Sequence, residues 1–128
     1  MEEDVDKVFE GLITEEYILR VCGMDTLDGL TSVELIVDTS YQSLLDLGDI
    51  VKGLVNLTLD TSRISSIRDL GTGLRGLQQL SLNSCGLTEL DGVGMLSNLI
   101  SLSVRDNQIT DITGLAMHDT VQVQWSLQ

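Results

Sequence analysis

The hydrophobic residues of this chain recur with a period of 22 to 23 residues. Three segments, LVNLTLDTSRISSI, LQQLSLNSCGLTEL and LISLSVRDNQITDI, begin at Leu54, Leu77 and Leu99. In each of them the first, fourth, sixth, eleventh and fourteenth positions are apolar. Position 17, counted from the same starting residue, lies just beyond each segment and is apolar as well. A single copy of this pattern cannot bury its apolar residues, so we expect neighbouring copies to stack into one continuous core.

The spacing inside each copy predicts a short strand followed by a tight return. Positions four and six lie two residues apart, so both side chains face the same side of a strand. Positions 11, 14 and 17 lie three residues apart, which is typical of a helical or 3₁₀ return. The predicted fold is an α/β leucine-rich repeat solenoid, with a curved parallel sheet on the concave face and the returns on the convex face.

The segments on either side of the regular copies are atypical, as the ends of a solenoid usually are. Residues 1–30 are predicted to form a helical cap, in which Thr14 is the N-cap of the second helix and Gly23 ends it. The first helix of this cap is predicted from an apolar stripe at Val5, Val8, Phe9 and Leu12.

Residues 31–128 are predicted to hold the repeats. The degenerate first copy spans 31–53 and the partial last copy spans 121–128, with regular copies at 54–76, 77–98 and 99–120. Positions four and six are assigned to Leu35 and Val37 in the first copy, and to Trp125 and Leu127 in the last.

Charge and composition narrow the possible partners. The formal net charge is −13. The negative electrostatic field of such a protein repels nucleic acid and anionic membranes. No apolar run reaches the roughly 18 residues that a membrane helix needs. The start of the chain does not resemble a signal peptide, and Cys22 and Cys85 lie too far apart for a typical disulfide scaffold. These features predict a cytoplasmic protein that binds other proteins.

No set of residues predicts catalysis, a metal or a cofactor. The segment GTGLRG at 71–76 has the spacing of a dinucleotide-binding loop, but it follows a return and leads into the next strand. His118 is the only histidine, without an obvious partner for a triad or a metal. We therefore predict a protein that is not an enzyme and has no cofactor.

The exposed strand positions three, five and seven are predicted to bind a protein partner on the concave face. Most are small and polar, while Glu34, Asp38 and Asp60 make one end acidic and favour a basic partner. Glu34 is expected in the column of Asn56, and Asp38 in the column of Asp60. The convex face is the alternative. The full predicted surface is Glu34, Ile36, Asp38, Asn56, Thr58, Asp60, Gln79, Ser81, Asn83, Ser101, Ser103 and Arg105.

Position nine predicts a structural ladder at the turn that follows each strand. It is occupied by Ser62, Cys85 and Asn107, whose inward side chains can bond to turn backbone that would otherwise be buried unpaired. A buried thiol has a raised pKa and is unreactive, so Cys85 is predicted to be structural rather than nucleophilic.

Several segments resemble a known family. The first copy contains VELIVDTS, the link between copies reads RDLGTGL, and CGLTELDGV follows the third predicted strand. These segments resemble the family of leucine-rich repeat-containing protein fifty-six, also called the outer dynein arm assembly protein eight family. The resemblance implies a non-enzymatic cytoplasmic and ciliary adaptor that helps outer dynein arms to assemble and to travel by intraflagellar transport. Its partners would be dynein arm or transport components.

The short repeats are also similar to those of the phosphatase-regulator type and of axonemal dynein light chain one. That similarity implies the alternative function, a regulatory or scaffolding subunit that docks an enzyme such as a protein phosphatase.

Overall fold

The computed structural model describes residues 13–124. The predicted stripe from Val5 to Leu12 and the predicted positions of Trp125 and Leu127 lie outside this range. The described part is built around one parallel sheet of five short strands that pair in chain order. The strands are β1 Ser32–Glu34, β2 Asn56–Thr58, β3 Gln79–Ser81, β4 Ser101–Ser103 and β5 Gln122–Gln124.

Short helices connect the strands. Helix α1, Glu15–Cys22, precedes β1. The connections between strands hold α2, Leu47–Ile50, and three 3₁₀ helices at Ile67–Leu70, Val93–Met95 and Thr113–Met117. The three-residue spacing of apolar positions predicted such returns, because 3₁₀ helices place every third side chain on one face. A five-stranded parallel sheet with these returns is a leucine-rich repeat solenoid, so the predicted fold class is confirmed.

The core consists of leucine columns that run from copy to copy. Leu57 pairs with Leu80, and Leu80 with Leu102, so position-four side chains stack along the sheet. Position six forms a second column, in which Leu59 and Leu82 are fully buried. Each buried leucine contributes roughly 1.5–3 kcal/mol relative to an exposed one, so these columns are the main source of stability.

The predicted register of the first copy is wrong by two residues. Val33, not Leu35, pairs with Leu57, so Val33 and Leu35 take positions four and six. Val33, Leu35 and Val37 alternate and are all buried. Because a two-residue shift keeps the same side chains facing the core, the apolar pattern alone fits both registers.

The last copy shows the same kind of error. Val123 pairs with Leu102, so it takes the position-four site that was predicted for Trp125. The step from Leu102 to Val123 is shorter than the 23 residues that the prediction assumed. Residues 121 to 125 again alternate between apolar and polar, so the pattern did not fix the register.

Helix α1 contributes the fully buried Ile18 to the same hydrophobic core as Val33 of β1. Thr14 begins the helix, and its Oγ1 accepts a hydrogen bond from the Tyr17 backbone N–H at 3.1 Å. Gly23 ends it in the left-handed conformation with φ 66°. Both residues act as the sequence predicted, and the boundaries of the cap at 1–30 stay a prediction.

Glycines allow the returns of neighbouring copies to approach each other through their backbones. Gly92 has φ 103°, and a Cβ atom built there would lie 2.8 Å from the Arg68 backbone nitrogen. Gly71 and Gly73, from the dinucleotide-like segment, lie against Leu45 and Gly48 of the preceding copy. Close packing between copies therefore explains two glycines of that segment.

A ladder of position-nine side chains joins the turns. The Ser62 Oγ accepts a hydrogen bond from the Val37 N–H of the preceding copy at 2.9 Å. The Asn107 Oδ1 accepts from the N–H groups of Cys85 and Leu87, both at 3.0 Å, and its Nδ2 donates to the Leu82 carbonyl at 2.8 Å. Each side chain thus pairs buried backbone of the copy before it.

Cys85 is the middle member of this ladder. Its Sγ lies 3.1 Å from the Leu59 carbonyl oxygen, and the side chain is 3% exposed. Burial raises the pKa of the Cys85 thiol to about 11 from an ordinary value of 9.0. The thiol therefore stays protonated at neutral pH, when it is a weak nucleophile.

We expect Gly92→Ala to destabilise the protein more than Gly86→Ala does. Both glycines have positive φ, but a Cβ at Gly86 meets nothing within 4 Å. Gly86→Ala should cost about 1 kcal/mol of unfolding free energy for its backbone conformation, while Gly92→Ala should cost about 3 kcal/mol because Arg68 must also move. Urea denaturation measures the difference, and equal losses would contradict the inferred contact between returns.

We expect Cys85 to resist a thiol-reactive disulfide reagent in the folded protein. Two single-thiol variants make the comparison: Cys22→Ser retains the buried thiol, and Cys85→Ser retains the partly exposed Cys22. At pH 8, Cys22 should react rapidly and Cys85 only after denaturation. Rapid labelling of folded Cys22→Ser protein would show that the ladder opens readily.

The same thiol sets a dependence of stability on alkaline pH. Its pKa is higher in the folded state than in the unfolded state, so its contribution to stability is complete below about pH 9 and is lost as the pH rises towards 11. Denaturation curves should therefore show a steeper alkaline loss of stability for the wild type than for Cys85→Ser.

Candidate functional site

The exposed face of the parallel sheet, here called the sheet face, carries the side chains that point away from the leucine core. Two columns of these side chains cross all five strands, because the strands pair in exact parallel register. The first column is Ser32, Asn56, Gln79, Ser101 and Gln122. The second column is Glu34, Thr58, Ser81, Ser103 and Gln124.

A third column lies two residues beyond the second, where the strands end. Asp60 Oδ1 accepts hydrogen bonds from the Ser81 Oγ at 2.6 Å and from the Asn83 N–H at 2.9 Å. Asn83 Oδ1 repeats this arrangement, accepting from the Ser103 Oγ at 2.8 Å and the Arg105 N–H at 2.7 Å. These side chains continue the pairing between copies past the ends of the strands.

The third column therefore has a structural role in addition to the predicted role in binding. Arg105 extends the network, since its Nη2 donates to the Gln124 Oε1 at 2.9 Å. One carboxylate oxygen of Asp60 is already used by two donors. A charge reversal at Asp60 would remove these bonds, so it cannot test partner binding without disturbing the fold.

The structure places most of the predicted residues on the sheet face, but it moves the first-copy residues. Glu34 pairs with Thr58 and belongs to the second column, and not to the column of Asn56. The same register sets Ile36 level with Asp60. Ser32 takes the first-column place that Glu34 was expected to hold.

Asp38 is not in the column of Asp60. It lies beyond the sheet, in a separate parallel bridge with Arg63. Its Oδ1 accepts a hydrogen bond from the Ser40 N–H at 2.9 Å, so the carboxylate stabilises the turn. The acidic end of the sheet face consists of Glu34 and Asp60, because the two-residue shift of the first copy carries Asp38 out of the sheet.

Sequence reasoning missed three residues of the sheet face. Ser32 was missed because of the register of the first copy, and Gln122 and Gln124 because of the register of the last. The alternation in VQVQ was the signal that could have found the two glutamines, since it marks them as the polar side of a strand.

The returns carry an ion pair that spans two copies. The Arg68 guanidinium donates to both carboxylate oxygens of Asp91, with Nε–Oδ2 at 2.6 Å and Nη2–Oδ1 at 3.0 Å. The hydrogen bond with Arg68 lowers the pKa of the Asp91 carboxyl. In the next copy, bonds from the side chain and backbone of Thr113 lower the pKa of Asp111. Both carboxyl groups are exposed, so screening by water limits their contribution.

Other candidate chemistry has structural explanations. The His118 Nε2 lies 2.9 Å from the Leu96 carbonyl oxygen, and its Nδ1 accepts from the Thr120 and Val121 N–H groups, so the ring fixes the last return. Among residues 13–124, no cluster of three or more His, Cys, Asp or Glu is arranged to hold a metal ion. No helix in that range has the length and apolar composition needed to cross a membrane.

Comparisons with known proteins agree with this geometry. Residues 75–117 match the family described as leucine-rich repeats in two copies. The chain is 40% identical over 100 residues to leucine-rich repeat-containing protein 56 of Mus musculus, an alignment that covers 78% of this chain and 18% of the mouse protein. It is 36% identical over 123 residues to the Homo sapiens protein of the same name, covering 92% of this chain and 22% of the human protein.

The chain thus spans about a fifth of the length of these relatives. The matched repeats at 75–117 include β3 and β4, whose leucines stack in the register described above. By its repeat pattern, its sheet and its similarity to these proteins, the chain belongs to the leucine-rich repeat family.

Proposed function

We propose that this chain is a non-enzymatic protein–protein interaction module, and that the sheet face contacts the partner. The observation that carries this proposal is the sheet face itself: two columns of mostly small, polar side chains cross five strands and stand clear of the core. Small side chains leave room for a segment of a partner protein, and their polar atoms can bond to it.

The rigidity of the sheet face supports this proposal. The Asp60 and Asn83 bonds hold the ends of the strands, and the ladder through Asn107 holds the turns behind them. A surface that is fixed before binding loses little conformational freedom when a partner arrives, which favours affinity. The free acidic group at one end, Glu34, favours a basic contact.

The lack of a reactive centre in the described residues supports a role without chemistry. The Cys85 thiol is buried with a raised pKa, and His118 is bonded to backbone on both ring nitrogens. Nothing in this arrangement resembles a nucleophile next to a base. The function would then rest on complementarity of surfaces alone.

We further propose that the module is an adaptor in the assembly or intraflagellar transport of ciliary outer dynein arms, acting in the cytoplasm and the cilium. The support is the similarity to leucine-rich repeat-containing protein 56, together with the family role that the sequence resemblance implies. The competing proposal, a subunit that docks a protein phosphatase, rests on the resemblance of the short repeats to phosphatase regulators.

Affinity purification of the full chain from ciliated cells tests both levels of the proposal. The sheet-face variant is Glu34→Lys with Thr58→Arg, because these neighbouring side chains have no hydrogen bond that the fold needs. The matched control is Asp49→Lys with Thr72→Arg, which makes the same change in charge at exposed positions on the returns. Circular dichroism should show the same fold for both variants.

We expect the wild type and the control to retain outer dynein arm or transport components, and the sheet-face variant to retain about tenfold less. Recovery of a phosphatase catalytic subunit in place of those components would replace the ciliary role with the regulatory one. If the control variant loses the partners and the sheet-face variant keeps them, the returns are the interaction surface.

A further inference from the structure

The first copy carries the most exposed large hydrophobic side chains of the described residues. Its Tyr41, Ile36 and Leu45 side chains are 72%, 69% and 57% exposed, the three highest values among the large hydrophobic residues of the described range. Scattered single exposures are normal on a protein surface. Here the three fall within ten residues, and two of them, Tyr41 and Leu45, line one groove.

Leu45 is an exposed apolar residue at a repeat position that is polar in the other copies. This position lies two residues before the residue of the return that faces the core. The core-facing residues of the four copies are Leu47, Leu70, Val93 and Leu115. The other copies place Arg68, Asp91 and Thr113 there, and all three make polar bonds. The first copy alone has a large apolar residue at this solvent-facing position.

Backbone contacts position the two side chains of the apolar wall. Tyr41 stands on a turn in which the Tyr41 and Gln42 N–H groups donate to the Asp38 carbonyl, and the Gln42 Oε1 accepts from the Asp38 N–H. Leu45 is held at its backbone by the close approach of Gly71. The two side chains therefore flank an open groove of about 370 Å³, whose lining also includes Arg68 and Asp69.

The charges around the groove select the partner. Asp69 lines it, and one of its carboxylate oxygens accepts a hydrogen bond from the Ser66 N–H at 3.3 Å. Asp46 follows Leu45 without a capping hydrogen bond from its side chain. The one arginine of the lining, Arg68, is paired through two bonds with Asp91, so its positive charge is largely compensated. The first copy, residues 31–53, contains four carboxylates and one lysine. Among the described residues, Asp69 and Asp46 have no basic side chain as an ion-pair partner. An apolar wall beside such carboxylates is complementary to an apolar side chain with basic neighbours.

We propose that the groove between Tyr41, Leu45 and Asp69 is a second docking site, which binds a basic segment of a partner protein by taking up one large apolar side chain of that segment. This site lies on the side of the first copy and is separate from the sheet face, so the inference goes beyond the function proposed above. Fast, salt-dependent association through the carboxylates and retention through the apolar contact are the expected features.

A random-peptide phage library, panned on the full chain, tests the proposal. Enriched peptides are synthesised and their affinity is measured by fluorescence anisotropy against four variants. Tyr41→Ser with Leu45→Ser removes the apolar wall, and Asp46→Lys reverses the neighbouring charge. Ile100→Ser with Ile112→Ser is the matched control, because these isoleucines are 54% and 52% exposed elsewhere. The fourth is the sheet-face variant, Glu34→Lys with Thr58→Arg.

We expect enriched peptides that combine a large apolar residue with adjacent lysine or arginine. Their affinity should fall at least about tenfold in the groove variant and severalfold in Asp46→Lys. It should be unchanged in the isoleucine control and in the sheet-face variant. Thermal unfolding should show that the groove variant folds like the wild type, since both of its substituted residues are exposed.

Three outcomes would overturn the inference. Peptides that bind the groove variant as tightly as the wild type, or no enrichment at all, would show that the groove is not a docking site. Loss of binding only in the sheet-face variant would support the function proposed above while rejecting this second site. Self-association of the wild type that the groove variant loses, seen by sedimentation velocity, would assign the groove to a second copy of the chain.

Discussion

Pairing of the turn backbone between neighbouring copies is the constraint on which this structure depends. The chain leaves each strand through a turn that is buried between copies, where unpaired N–H and C=O groups would each cost roughly 1–3 kcal/mol. Asn107 meets this constraint most completely, with two accepted and two donated hydrogen bonds to backbone. Ser62 and Cys85 make fewer bonds at the same position. Copies can therefore vary at this position as long as the side chain is small and can enter the turn.

On the sheet face, side chains at the ends of the strands also form hydrogen bonds to the backbone of a neighbouring copy. Asp60 and Asn83 accept the N–H of the residue that corresponds to them in the next copy. At position nine, Ser62 and Asn107 accept N–H groups of the copy before. The two sets of bonds point in opposite directions along the solenoid. Each turn is thus tied to both neighbours, which explains how three-residue strands can define a stable register. The third column consequently cannot be counted as free binding surface.

The repeat pattern predicted the fold because its signal comes from many positions at once. Apolar residues at fixed spacings in three copies determine the strands, the returns and the leucine columns. The same pattern could not determine the register of the end copies, because VELIV and VQVQW alternate and a two-residue shift leaves their buried sides unchanged. That ambiguity misplaced Asp38, and with it part of the predicted acidic patch. Hydrogen bonds such as Asp60 to Asn83 depend on three-dimensional spacing, so the sequence offered no direct sign of them.

The first copy differs from the others for a physical reason that also bears on function. An internal copy must complement two neighbours of its own kind, whereas β1 of the first copy pairs only with β2 in the described sheet. In the returns, Arg68 is matched to Asp91 of the following copy, and a change at either residue would unpair the other. Leu45 has no such side-chain partner in the sequence of copies, so this position was open to a residue that serves contact with another molecule. Departure from the repeat at an exposed position is thus a more specific indication of a binding site than the regular columns of the sheet face, whose composition the solenoid itself largely dictates.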